Sequence, residues 1–418
     1  MNRRNIYIGI SILIAVLIVG LLAWSIFVGK QQRELQNDTT DLGYFGSPGG
    51  TPGGRGGLFG SVFGSSSNTQ EKPGSTKTTL EPQLRQLYNL PTAGYARKRS
   101  GMIRFVDRAT GHVFERELPD GATTRVNQTT VPQVYEALLV EDGNGIIRRY
   151  LDTTGRIVSV YNNIEDEDAP TRNLPFARDM IVSPSGNEIA YVEETNQGSD
   201  IVISKANGDS PRTVTRSALR GWTLQWRANT LLLTQKASGD IPGSAFTVNI
   251  DSGVTTVALQ QKAGLTTNLD PNGTTILYST AANNREPTLF VHDITTNETR
   301  ALNVLGLADK CIWQPTGAFV YCALPNTFPR VQYPDAWYKG EVHFSDSLWE
   351  VSTDFTLVTQ LFSPQQKNGV SLDIYNLTTD ATADTIFFKN NTDQTLWSLT
   401  FPRAAENNAN TIDTATDE

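Results

Sequence analysis

The chain of 418 residues has little of what usually carries chemistry: two cysteines, three histidines and three methionines. Two cysteines exclude a disulfide scaffold and any multi-cysteine zinc or iron–sulfur site. His112, His292 and His343 lie far apart without HExxH spacing, and no Gly-Xaa-Ser-Xaa-Gly nucleophile elbow occurs. No motif demands a cofactor or a metal ion. Basic residues are outnumbered, 35 Lys and Arg against 43 Asp and Glu. That balance argues against nucleic acid as a partner, because phosphate contacts need a basic footprint. Hydrophobic residues make up only 38% of the chain, and beyond one N-terminal run there is no second apolar stretch of membrane-spanning length.

That run covers residues 6–28 and carries no charge. As a helix it would extend roughly 34 Å, enough to cross the hydrocarbon core. A cleavable signal has an apolar region of only about 7–15 residues, so the reading favoured over cleavage is an uncleaved signal anchor. Arg3 and Arg4 precede the span while Lys30 and Arg33 follow it, a weak bias that points to a cytoplasmic N-terminus. The expected order is a cytoplasmic stub (1–5), a transmembrane helix (6–28), a polar juxtamembrane segment (29–42) and a Gly/Ser/Pro-rich linker (43–78). The linker cannot bury enough apolar surface to offset chain entropy. As a flexible coil it would reach about 33 Å. Everything beyond the span is then expected outside the cytoplasm, periplasmic or extracellular, ending in a disordered acidic tail (403–418).

Residues 84–402 repeat. Pro184-Ser185-Gly186, Pro271-Asn272-Gly273 and Pro315-Thr316-Gly317 each stand between apolar runs, and the last two are 44 residues apart. Proline presets φ at one turn position and glycine permits positive φ at another, so each reads as a strand–turn–strand hairpin. Stepping by this period finds weaker hairpins near Gly101, Gly143, Ala228 and Asp380. Two further strands follow each hairpin, as at residues 288–292 and 299–302. Four strands per repeat describes a β-propeller blade, which must stack on its neighbours to bury both faces. The fold class is therefore all-β: a seven-bladed propeller of four-stranded antiparallel blades, with six to eight blades as the range. The last repeat, read as starting at residues 371–374, has only three strands. Residues 84–90, upstream of the first hairpin, are expected to supply its missing outer strand and close the ring.

The Pro-Xaa-Gly hairpins followed by an apolar-Tyr strand resemble those of the TolB-like β-propellers, which are related in shape to WD-repeat propellers and use Ser-Pro-Asp-Gly at this place. The forms here are Ser183-Pro184-Ser185-Gly186, Asp270-Pro271-Asn272-Gly273 and Gln314-Pro315-Thr316-Gly317. The resemblance implies an extracytoplasmic interaction platform with no catalytic residues to carry over. An anchor and spacer stand where the periplasmic TolB protein has a small α/β domain.

Two features single out the sixth repeat. Counting outward from its turn sets Trp313 opposite Val320, Ile312 opposite Tyr321 and Cys311 opposite Cys322. Opposed cross-strand Cβ atoms lie about 4.5–5.5 Å apart, within approach of a disulfide. An exported domain would keep such a bond; two buried free thiols are the alternative. The repeat is also about 20 residues too long, the excess falling at residues 325–340. Insertions in repeat proteins map to one face, often the binding face, and Tyr, Trp and Arg dominate interface hot spots. Phe328, Arg330, Tyr333, Asp335, Trp337 and Tyr338 are thus the candidate binding residues. The competing reading has this loop fold back and plug the ring.

The acidic run at residues 165–168 lacks the alternation and central glycine of a calcium loop and reads as a solvated loop. The functional expectation is a non-catalytic platform for an envelope or surface protein or polymer, held to the membrane by its N-terminal helix. The alternative is a propeller hydrolase or lyase with carboxylates in the central channel; two or more channel carboxylates with raised pKa values would favour it.

Overall fold

In the computed structural model the described residues are 81–401, apart from 167, 282–284 and 355–356. The stub, anchor, juxtamembrane segment, linker and tail expected from the sequence lie outside them. Among the described residues no helix is long and apolar enough to cross a membrane.

Among the described residues twenty-eight strands, β1–β28 in chain order, form seven four-stranded antiparallel sheets. Blade one is β2–β5 (residues 92–125), blade two β6–β9 (134–173) and blade three β10–β13 (180–217). Blade four is β14–β17 (222–262), blade five β18–β21 (266–305) and blade six β22–β25 (311–362). Blade seven runs in the spatial order β1-β28-β27-β26. Its outer strand β1 (Gln83–Tyr88) pairs with β28 (Leu396–Thr400), Leu84 opposite Leu399. The expected closure by the first strand is thus present, and it pairs an edge of β28 that would otherwise be bare. The innermost strand β26 is Ile374–Thr379, so the apolar Leu372 belongs to the connection before it rather than to the strand itself.

The hairpins follow the turn chemistry. Gly186, Gly273 and Gly317 sit at φ of 82°, 75° and 76°, where a Cβ would be strained. In blade six β22 (Cys311–Trp313) pairs with β23 (Phe319–Pro325) in the register counted from the turn, Cys311 opposite Cys322. Those two residues form a disulfide with Cα atoms 4.0 Å apart.

The core lies between blades. Apolar side chains from facing sheets form one cluster at each of the seven junctions among the described residues. The cluster that closes the ring joins Leu87 of β1 to Ile103 and Phe105 of blade one and Phe387 and Leu396 of blade seven. A polar latch also crosses each junction. The Arg104 guanidinium donates to Gly143 O (2.7 Å) from blade one to two, and Arg149 to Ala177 O (2.8 Å) from two to three. The Asp179 carboxylate accepts from Leu224 N (2.6 Å), and Gln225 from Leu269 N (2.7 Å). Asn268 donates to Cys311 O (2.6 Å), Asp346 accepts from Ile374 N (2.6 Å), and Tyr95 donates to Phe387 O (3.1 Å) to complete the circle. These bonds satisfy main-chain groups that the twist of adjacent blades leaves unpaired.

Candidate functional site: the mouth of the central channel

The seven innermost strands surround a cavity of about 1150 Å³, and each contributes lining residues. Strands alternate their side chains between the two neighbouring blades, so an inner strand offers the channel its edge, and consecutive residues of it border the cavity. Tyr95, Tyr135, Gln225 and Asn376 are among the polar residues of the lining. Several charged groups stand where the chain enters the inner strands. Asp179 immediately precedes β10, Asp309 and Lys310 precede β22, and Asp373 precedes β26.

The long connection of blade six, between β23 and β24 (Asp346–Ser352), folds back over this end. Tyr333 is 1% exposed and packs edge-on to Phe328 (5.6 Å) and beside Phe344 (6.0 Å), with Leu307 and Ala281 beneath. Phe328 and Tyr333 are therefore plug residues, with no free face for a partner on Tyr333. Arg330 is exposed, and Asp335 accepts from Gly239 N (2.7 Å), which ties the loop to blade four. A short helix, Asp335–Tyr338, carries Trp337 and Tyr338 into the channel lining. Trp337 is buried, while Tyr338 is 46% exposed. The six sequence candidates thus divide: two plug, two fasten or lie outside, and two border the cavity.

Beneath Trp337 is a charged cluster that no sequence motif announced. Lys310 Nζ lies 2.8 Å from Asp346 Oδ2 and 2.5 Å from Asp373 Oδ1, with all three side chains 0% exposed. Trp337 Nε1 donates to both Asp373 oxygens (3.1 and 3.0 Å), and Asn391 Nδ2 donates to Oδ2 (3.2 Å). The ammonium also sits 4.9 Å from the Trp337 ring centroid and 5.0 Å from that of Phe344. Burial pushes the Asp346 carboxyl up to about 6 although Lys310 pulls it down, and its Oδ1 has no hydrogen-bond partner among the described residues. Asp373 is saturated, so this cluster fastens the plug and blades six and seven together rather than meeting a ligand.

The groups that do face the cavity are of mixed sign. Burial raises Asp179 to about 6, with the Glu136 charge adding, against the Leu224 N–H bond and Arg149. Asp309 is likewise raised to about 6 by burial, although the Tyr338 hydroxyl donates to its carboxylate; Asp309 remains partly accessible. Tyr338 in turn is held far above its ordinary range by burial and by that carboxylate, so it stays a donor. Lys389 of β27 (Thr385–Asn390) is 4% exposed and lies over the Tyr375 ring (5.3 Å), and burial lowers its ammonium to about 7. Such an array can hold a polar, charged or hydroxyl-rich ligand against aromatic faces. Two carboxyls that titrate near neutrality could also move protons.

Elsewhere, Glu165 of the acidic run pairs with Arg104 (2.8 Å) and lies 3.9 Å from Lys98. Asn127 is 2% exposed and accepts from Arg148 (3.1 Å). Among the described residues no three His, Cys, Asp or Glu side chains converge as metal donors.

No family model and no curated protein sequence matches the chain. Solved structures do match in shape. An oligogalacturonate lyase in complex with manganese superposes with a TM-score of 0.53 at 9% identity, covering 77% of this chain and 91% of the lyase. The oligogalacturonate lyase of Vibrio parahaemolyticus gives 0.51 at 7%, covering 78% and 98%. Hydrazine synthase of Kuenenia stuttgartiensis gives 0.50 at 11%, covering 79% and 99%. At such identities the likeness establishes the fold alone, and the scattered donors above give no reason to carry the manganese over.

Proposed function

We propose that the chain is a membrane-anchored, extracytoplasmic propeller of TolB-like type that acts as a non-catalytic binding platform in the cell envelope. Its ligand, a protein segment or surface polymer, enters the channel mouth beside Trp337 and Tyr338. The observation that carries this reading is the 1150 Å³ cavity reached by all seven blades, with Tyr338 46% exposed at its border. The Cys311–Cys322 disulfide supports the location, because such bonds persist in oxidising compartments. The test is capture from detergent-solubilised membranes with the full chain and with Tyr338→Ala. A stoichiometric partner or glycan lost from the variant would support the reading; equal recovery by both would sink it.

A second reading has one observation in its favour. Asp179 and Asp309 both line the cavity with pKa values raised to about 6, as a carboxylate-based hydrolase or lyase would need. The named neighbours make oligogalacturonate the first substrate to try. Formation of unsaturated product, followed by ultraviolet absorbance and lost in both Asp179→Asn and Asp309→Asn, would replace the binding reading with this one.

A further inference from the structure

At the seam of blades seven and one the channel wall holds a buried cation bonded to no acid, Lys389, and the charge of Arg108 acts on it from nearby. Lys389 is 4% exposed, lines the cavity and is set opposite Tyr375 in the strand register. Its ring contact with Tyr375 aside, its ammonium has no hydrogen bond or ion pair among the described residues. Arg108 follows β3 (Met102–Asp107), and its N–H donates to Pro91 O (2.8 Å), just ahead of β2 (Thr92–Arg97). Its guanidinium has no carboxylate partner among the described residues either. The same seam is tied by Thr92 N to Gln394 O (2.8 Å). Gln394 lines the cavity, accepts from the Tyr375 hydroxyl, and holds φ at 62°, a costly conformation for a residue with a Cβ. The nearby acids are all engaged: Glu136 with Arg149, Asp373 with Lys310 and Trp337, and Asp107 with Thr110 and Tyr88.

We infer that this corner of the channel is a site for a compact oxyanion, a carboxylate or phosphate carried on the ligand's end, held by Lys389 with the Tyr375 ring as its floor. A buried ammonium without a bonded counter-ion costs free energy until an anion arrives, and a charge-assisted bond then forms. The electrostatics agree. Burial first and Arg108 second depress Lys389 to about 7, and only Glu136 opposes them. Arg108 likewise opposes the burial that raises Tyr375, while Asp373 adds to it. Anion binding would restore the proton to Lys389, so affinity strengthens as pH falls through 7. This rests on the channel being a binding site and names the chemistry it reads.

The experiment is calorimetric titration of the full-length chain in detergent at pH 6, with inorganic phosphate, with glucuronate, and with glucose as the uncharged control. One of the two oxyanions should bind and glucose should not; which one binds identifies the group. Lys389→Met should weaken binding at least about tenfold, while Lys389→Arg stays within a few-fold. Thermal midpoints no lower than that of the wild type establish that the variants are folded. The inference is overturned if neither oxyanion binds the wild type, if glucose binds equally, or if folded Lys389→Met is unaffected. A partner or polymer lost by Tyr338→Ala but kept by Lys389→Met would preserve the platform and remove the oxyanion site alone.

Discussion

Replacing Lys310 by methionine tests how blades six and seven are held. The substitution keeps most of the side-chain volume and removes a charge that lies 2.8 Å from Asp346 and 2.5 Å from Asp373 at 0% exposure. Truncating one partner of such a buried pair costs about 3–5 kcal/mol, chiefly because the other charge is stranded. At roughly 2–3 °C per kcal/mol, the thermal midpoint should fall by about 6–15 °C. The pH dependence gives a sharper check. Asp346 has a folded pKa of about 6, above its unfolded value, so its contribution is full at low pH and is lost as pH rises through 6. Without Lys310 to lower it, that loss deepens, and each further pH unit adds on the order of 1 kcal/mol. Midpoints measured at pH 5 and pH 8 should therefore show a larger deficit at pH 8. The triple variant Lys310→Met with Asp346→Asn and Asp373→Asn should recover most of it. A deficit under about 1 kcal/mol, or one equal at the two pH values, would refute the view of the cluster as a buried electrostatic clamp.

Three other outcomes are expected. Lys389→Met should raise the ligand-free midpoint: a folded pKa of about 7, below 10.5, means stability is full above 10.5 and lost as pH falls through 7. The gain should be greatest at pH 7 or below and vanish toward pH 10.5, as denaturation at three pH values would show. Exchanging Cys311 and Cys322 together for alanine should cost about 3 kcal/mol for a loop of this length; reductant should then lower the wild-type midpoint and leave the variant unchanged. Gly94→Ala should destabilise strongly, because its Cβ would stand 1.9 Å from Ala137 O of the neighbouring blade; limited proteolysis should find the seam between blades one and two opened.

The architecture was legible because propeller turns are local. A Pro-Xaa-Gly turn states its hairpin in three residues, and the Cys311–Cys322 register followed from counting outward from one of them. Closure was legible from arithmetic, three strands at the end and one unassigned at the start. The channel was not. Lys310 precedes β22 while Asp346 opens β24, and Asp373 lies 63 positions from Lys310, so proximity along the chain carried no signal. A signal did exist in the repeat frame: Asp179, Lys310 and Asp373 each stand immediately before an innermost strand. Aligning the repeats on their first strands, rather than on their turns, would have brought those charges into one column. Among the insertion's aromatics, types alone did not separate Tyr333, which is buried in the plug, from Tyr338, which borders the cavity; that division depends on the short helix.

The pairing of β1 with β28 also sets the order in which the protein can become itself. Gln83 pairs with Thr400, so the first strand of the propeller to be synthesised waits for the last. At about 5–20 residues per second, that wait is on the order of 15–60 s. Blades two to six can form as neighbours arrive, but Leu87, Ile103 and Phe105 have no finished surface to pack against until Phe387 and Leu396 exist. Ring formation is therefore a terminal event, and a chain cut short by even its last strand leaves two open edges where the complete one has a seam.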